Sequence, residues 1–271
     1  MSDLYGSDAY SPVEIARRIE SVGEVKARMA ILPLALLGVL AGAFIGLGAM
    51  LFVLVKSDPT LGFATSALLG GLVFAMGLLM VVVAGAELFT GNNLIVMAWA
   101  DGRVSTGQVL RNWGIVCLAN FVGAAGVAVL VFASGHAGLN GGAIGQQVVK
   151  IAVAKQELPF VTALLRGVLC NVLVCMAVWM AMAGRSVVDK AVAVMLPVMA
   201  FVAAGFEHSI ANMYLMPLAM LLQNGGLAGF PAVTWSGMLG NLLPVILGNI
   251  LGGAVLVAGI YHVIYRRTSK A

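Results

Sequence analysis

Apolar residues dominate six stretches of this chain, at about 30–55, 61–100, 108–135, 158–183, 190–223 and 233–265, with short polar connections between them. About 20 apolar residues carry a helix across a hydrocarbon core roughly 30 Å thick. The pattern therefore predicts an all-α integral membrane protein with six transmembrane helices. Four stretches have ordinary spanning length, but the second and fifth are too long for one straight crossing. Each of those two carries a glycine and a glutamate in mid-stretch, in Ala84-Gly85-Ala86-Glu87 and Ala204-Gly205-Phe206-Glu207. Helices interrupted at membrane depth are predicted there. Ahead of the first span, residues 12–28 alternate Val13, Ile15, Ala16, Ile19 and Val22 with charged residues. That spacing predicts an amphipathic helix lying on the membrane surface or beneath a pore mouth.

The two halves of the pattern repeat. Gly38-Val39-Leu40 recurs as Gly167-Val168-Leu169, and Ala84-Gly85-x-Glu87 with Asn92 recurs as Ala204-Gly205-x-Glu207 with Asn212. Asn112, Asn120 and Gly123 recur in the same spacing as Asn241, Asn249 and Gly252. Three spans per half is an odd number, so the second half enters the bilayer from the opposite side. The prediction is an inverted 3+3 repeat within one channel domain spanning 1–271, with 30–135 as the first repeat and 158–265 as the second. Such repeats place their permeation or binding site near the midplane.

Composition agrees with lipid as the solvent. Only 10% of the 271 residues are charged and 61% are hydrophobic; soluble domains carry roughly a quarter charged. The net charge of +4 does not form a nucleic-acid patch, because the basic residues sit in connecting segments. Arg17, Arg18, Lys26, Arg28, Arg103, Arg111, Arg185, Lys190, Arg266, Arg267 and Lys270 fall on one side, against Lys56, Lys150, Lys155 and Arg166 on the other. Basic residues favour the cytoplasmic side, so both termini are expected there, in a multi-pass protein of the inner (plasma) membrane. Cys117, Cys170 and Cys175 lie in apolar sequence without metal-ligand spacing and read as inert thiols. No metal or cofactor is expected.

Glu87, Glu207 and His208 are the titratable groups deep in apolar sequence. Charge at that depth must face the interior and find partners. The repeat-related glutamates read as structural carboxylates accepting backbone N–H groups freed by the broken helices. The asparagines read as bridges between spans or caps of half-helices. His208 breaks the symmetry, since Leu88 holds the matching place. A group titrating near neutrality beside a helix break suits a pathway for a weak-acid anion. Phe74 with Leu78, and Asn171 with Val174, share helix faces, and spacing alone gives them no function.

Several runs carry a family likeness: Glu87-Leu88-Phe89-Thr90, the stretch from Leu169 to Cys175, Gly205-Phe206-Glu207-His208-Ser209-Ile210-Ala211-Asn212-Met213, and Leu247-Gly248-Asn249-Ile250-Leu251-Gly252-Gly253. Over about residues 30–265 the chain resembles the formate–nitrite transporter family. The resemblance implies an aquaporin-like protomer, a homopentamer, and a pore in each protomer. It implies His208 as the central pore histidine with Asn171 beside it, and Thr90 as the hydroxyl on the interrupting loop. Leu88 and Phe201 would form one apolar constriction, with Phe74, Leu78 and Val174 bounding the slit. Lys155 would draw anions into the outer vestibule, and Glu207 would support His208 or the loop.

On that reading the chain is a pH-dependent channel for small monovalent weak-acid anions, and not an enzyme. A bare anion in an apolar constriction is heavily penalised, and a proton lent by His208 would let neutral formic acid cross. Ala183-Gly184-Arg185-Ser186, Asp189-Lys190 and Leu196-Pro197-Val198 resemble the formate branch, whereas Gly91 after Thr90 looks more like nitrite members. Formate is the substrate implied, with nitrite and hydrosulfide as alternatives. A membrane redox carrier would need paired histidines or ligand clusters, which three scattered histidines do not supply.

Overall fold

The computed structural model describes residues 9–267, all helix and connecting turns apart from one isolated bridge between Ala9 and Gly184. Lys270, counted above among the orienting cations, lies outside the described residues. Helix α1 (Pro12–Arg28) starts on a capping box, Ser11 with Glu14, and has proline in its first turn. This arrangement satisfies orphan N–H groups that would otherwise fray the end. Helices α2 (Ile31–Lys56), α3 (Phe63–Met80, extended by a π turn Val81–Gly85) and α4 (Val96–Ala100, preceded by a 3₁₀ turn Gly91–Ile95) follow. Helix α5 (Thr106–Ala133) closes the first half. The second half comprises α6 (Ala143–Gln156), α7 (Phe160–Ala181), α8 (Val187–Ala203), α9 (Ser209–Asn224) and α10 (Trp235–Ile250), which runs on through π turns toward Arg267.

Five of these helical runs are long and apolar enough to cross a membrane. The fifth predicted stretch falls outside that set because it is broken into α8 and α9, of 17 and 16 residues. The break in the second stretch falls at residues 86–90, between α3 and the turn leading into α4. Both breaks begin at a glycine in the left-handed region, Gly85 at φ +84 and Gly205 at φ +71. There a side chain would cost roughly 1–2 kcal/mol.

Helix α2 packs on α5 and α3, and α7 packs on α10 and α8, so each half is built around one central pair. The α2–α5 crossing is close because Gly42 faces the backbone of Asn120 and Gly123 faces the carbonyl of Val39. Small residues supply the close packing that replaces a hydrophobic drive in lipid. Every residue from Glu207 to Met220 is buried, so α9 runs through the centre of the protomer. Leu36, Leu118, Leu130, Leu239 and Leu243 point outward, each more than half exposed, as lipid-facing side chains do.

Candidate functional site

The two broken helices are held by matching sets of buried polar bonds. On one side, Lys26 Nζ lies 2.9 Å from Glu87 Oε1, and Asn92 Nδ2 donates to Glu87 Oε2 at 2.7 Å and to Asn112 Oδ1 at 3.0 Å. On the other, Lys155 Nζ lies 2.8 Å from Glu207 Oε1, and Asn212 Nδ2 donates to Glu207 Oε2 and Asn241 Oδ1, both at 2.7 Å. Asn112 donates to the Lys26 carbonyl at 3.1 Å and Asn241 to the Lys155 carbonyl at 2.9 Å. The glutamates thus differ from the expectation drawn from sequence. Their carboxylates accept from lysine and asparagine side chains, and other asparagines serve the freed backbone. Asn120 donates to the carbonyls of Gly38 and Glu87 while accepting from Phe89 N–H. Asn249 does the same for Gly167, Glu207 and Ser209. An asparagine offers both a donor and an acceptor, which a carboxylate cannot.

This correspondence reaches outside 30–135 and 158–265. It joins α1 to α6 and makes Lys26 the counterpart of Lys155. Sequence reading missed both the helix at 143–156 and the role of Lys26. The signal was present, since Lys26 stands as far before Gly38 as Lys155 stands before Gly167.

At His208 the halves diverge. His208 caps α9, and its Nδ1 accepts from Ala211 N–H at 3.2 Å. A ring that accepts at Nδ1 carries its proton on Nε2 when neutral. Nε2 is 3.1 Å from Thr90 Oγ1, so it donates to that hydroxyl and leaves the hydroxyl hydrogen free for another acceptor. The ring lies parallel to Phe201, with centroids 5.9 Å apart, and edge-on to Phe74 at 6.4 Å.

The Thr90 loop is fixed from behind. Asn171 Nδ2 donates to the carbonyls of Asn249 (2.6 Å) and Thr90 (3.2 Å) and reaches Asn93 Oδ1 at 3.3 Å. Cys175 Sγ also donates to the Thr90 carbonyl, and Asn93 holds the Phe89 carbonyl at 2.8 Å. Asn171 stands where the first half has Gly42. It fills the space between helices with an amide, next to the point where α10 widens into π turns. A methyl group on Gly253 would collide with Asn171 Nδ2 and come within 2.7 Å of Cys175 Sγ and 2.8 Å of the Asn93 Cβ. Gly253→Ala should therefore destabilise the protein by about 1–3 kcal/mol and reduce transport more than stability, because the residues displaced are those that place Thr90. A melting curve and a flux assay on one preparation check this; unchanged flux would show that the loop does not depend on Gly253.

Two cavities flank this centre. One, of about 430 Å³, is lined by Lys26, Glu87 and Asn92, with Leu78, Leu88 and Gly91 toward the middle. The other, of about 240 Å³, is lined by Lys155, Arg166, Glu207 and His208, with Phe74 and Phe201 toward the middle. The four apolar residues are each at most 3% exposed. Leu78 and Leu88 line one cavity and Phe74 and Phe201 the other, the two phenylalanine rings meeting edge-on with centroids 5.9 Å apart. Val174 is buried in the core and lines neither cavity; of its helix, Val178 lines the first cavity and Arg166 the second.

The family sequence model described as formate/nitrite transporter matches residues 13–263. The chain belongs to the formate/nitrite transporter family. It is 38% identical over 273 residues to the formate channel FocA of Escherichia coli (strain K12), covering 96% of each protein. Among solved structures, a pentameric formate channel with formate bound aligns at TM-score 0.82 and 35% identity, covering 87% of this chain and 98% of the other. An ion channel of the same family aligns at TM-score 0.83 and 31% identity, covering 93% and 98%. The family is one of channels and transporters, not enzymes, and this member is a multi-pass membrane protein.

Metal ligation has one candidate geometry among the described residues of this transporter. Glu20, Asp101 and His262 bring ligand atoms within 4.8 Å of one another. Two arginines already occupy the Glu20 carboxylate, Arg266 Nε at 2.7 Å and Arg103 Nη2 at 3.2 Å. With two guanidinium groups supplying the counter-charge, the cluster ties α1 to the last helix and does not suit a cation.

Proposed function

We propose that the chain conducts formate, passing it as the neutral acid through two apolar layers with His208 and Thr90 as the one polar waypoint between its cavities. The observation that carries this reading is the His208–Thr90 pair, buried beside Phe74, Phe201 and Leu88 and bonded so that Thr90 presents a free hydroxyl hydrogen. A carboxylate stripped of water costs several kcal/mol in such surroundings, whereas the protonated acid needs only one donor for its carbonyl oxygen. On this reading His208 acts through a hydrogen bond, and a proton lent by the ring is the alternative. With Nδ1 accepting from Ala211, the ring offers a hydrogen bond and not a spare proton, so the acid forms in the cavities. Lower pH raises the fraction of acid and hence the flux.

The relatives named formate channels support the substrate, and the pentameric neighbour supports a homopentamer for this chain as well. Nitrite is the second reading, favoured by Gly91, which lines the larger cavity where only Val178 stands close to its missing side chain. We place both termini in the cytoplasm from the cation distribution, so the Lys155 cavity opens outward, and we read the matched bonding sets as an inverted repeat.

Reconstitution tests the reading: liposomes holding the protein should take up formate well above protein-free liposomes, with uptake rising as pH falls. Uptake no faster than in empty liposomes would overturn it. If the apolar layers act by refusing charge, Leu88→Ala should raise formate flux and admit larger carboxylates. If Leu88 only packs, truncation should cost about 2–5 kcal/mol and lower flux to every anion in proportion to folded protein lost.

A further inference from the structure

We propose that Arg166 is the anion-receiving residue of the Lys155 cavity, holding a planar monovalent oxyanion such as a carboxylate at the mouth before it enters. This rests on the reading of the chain as a weak-acid anion channel. The residue first suggested for that role, Lys155, is already committed. Its ammonium lies 2.8 Å from Glu207 Oε1 and its side chain is 16% exposed. Lys26 is committed to Glu87 in the same way. Each lysine–glutamate pair is close to neutral from outside, and drawing the lysine toward an incoming anion would leave a glutamate buried without its partner.

Arg166 lines the same cavity, and its side chain is exposed. Among the described residues it has no carboxylate within ion-pair distance. Its backbone carbonyl accepts Glu207 N–H at 3.3 Å, which places it one bond from the helix break. In the other half the matching residue is Leu37, whose carbonyl accepts Glu87 N–H at 3.2 Å and which lines the other cavity. The backbone task is therefore done equally well by a leucine, and the cation at 166 is not required by the architecture. What the arginine adds is a guanidinium fork at one mouth only. Such a fork matches two coplanar oxygens, so it should favour formate and nitrite over hydrosulfide, which has none.

The test uses the full-length protein in membrane vesicles of both orientations, comparing wild type, Arg166→Leu and Arg166→Lys with formate as the probe and hydrosulfide as its competitor. Cationic funnels raise local anion concentration by roughly tenfold or more at low salt. Entry from the Lys155 side should need about three times more formate or beyond for half-saturation in the leucine variant, at a maximal rate within twofold of wild type. Its sensitivity to ionic strength should vanish in that orientation, while entry from the other side, where Leu37 holds the matching place, should stay as in wild type. The lysine variant should regain the salt sensitivity but not the preference over hydrosulfide. Half-saturation and salt sensitivity unchanged in the leucine variant would overturn the proposal, as would equal losses from both sides tracking lost folded protein. Wild-type vesicles that fail to take up formate would instead overturn the channel reading itself.

Discussion

Replacing His208 with leucine, the residue at the matching place in the first half, is expected to cut formate flux by about threefold to tenfold while the protein still folds. The substitution removes the ring that bonds Thr90 and leaves an apolar passage on both faces. A hydrogen bond between neutral groups contributes about 0.5–1.5 kcal/mol, and each 1.36 kcal/mol on a barrier is a factor of about ten. The change in stability should be modest, near the ~1 kcal/mol of a lost N-cap, because His208 also caps α9 through Ala211. Flux normalised to folded protein in liposomes measures the first effect and a melting curve in detergent the second. Formate flux within twofold of wild type would show that the waypoint is not needed.

The glutamates should behave in the opposite manner. Glu207→Ala leaves Lys155 and Asn212 without their shared acceptor, and Glu87→Ala does the same to Lys26 and Asn92. Removing one partner of a buried pair costs about 3–5 kcal/mol. Both variants should thus show low folded yield and depressed melting temperatures, by similar amounts, although only Glu207 adjoins His208. The similarity is the informative part, since it follows from matching bond sets and not from the transport chemistry. A Glu207→Ala protein that melts like wild type yet does not transport would show instead that this carboxylate acts in permeation.

Much of this arrangement was legible in the sequence because membrane-spanning segments have a strong signature and broken ones are too long. The glycine–glutamate pairs located both interruptions, and the loss of symmetry at position 208 located the site. The partners of the glutamates were not legible. A carboxylate beside a helix break has freed N–H groups nearby, and nothing in the local sequence says that asparagines from α5 and α10 take them. Lys26 was hidden because it reads as one more charge on the polar face of an amphipathic helix, and α6 because its 14 residues are too few to span. The division of Leu78 and Leu88 from Phe74 and Phe201 between two cavities depends on the three-dimensional path of the breaks, which residue spacing does not encode.

The central claim is that the permeant crosses the apolar layers without net charge. It is tested most directly by following formate and protons together in liposomes holding the protein while a potassium diffusion potential is imposed. The account predicts one proton moving with each formate and a rate that does not respond to the potential. A formate flux that follows the potential and carries no proton would mean that the bare anion passes Phe74, Phe201, Leu78 and Leu88, and would contradict the account.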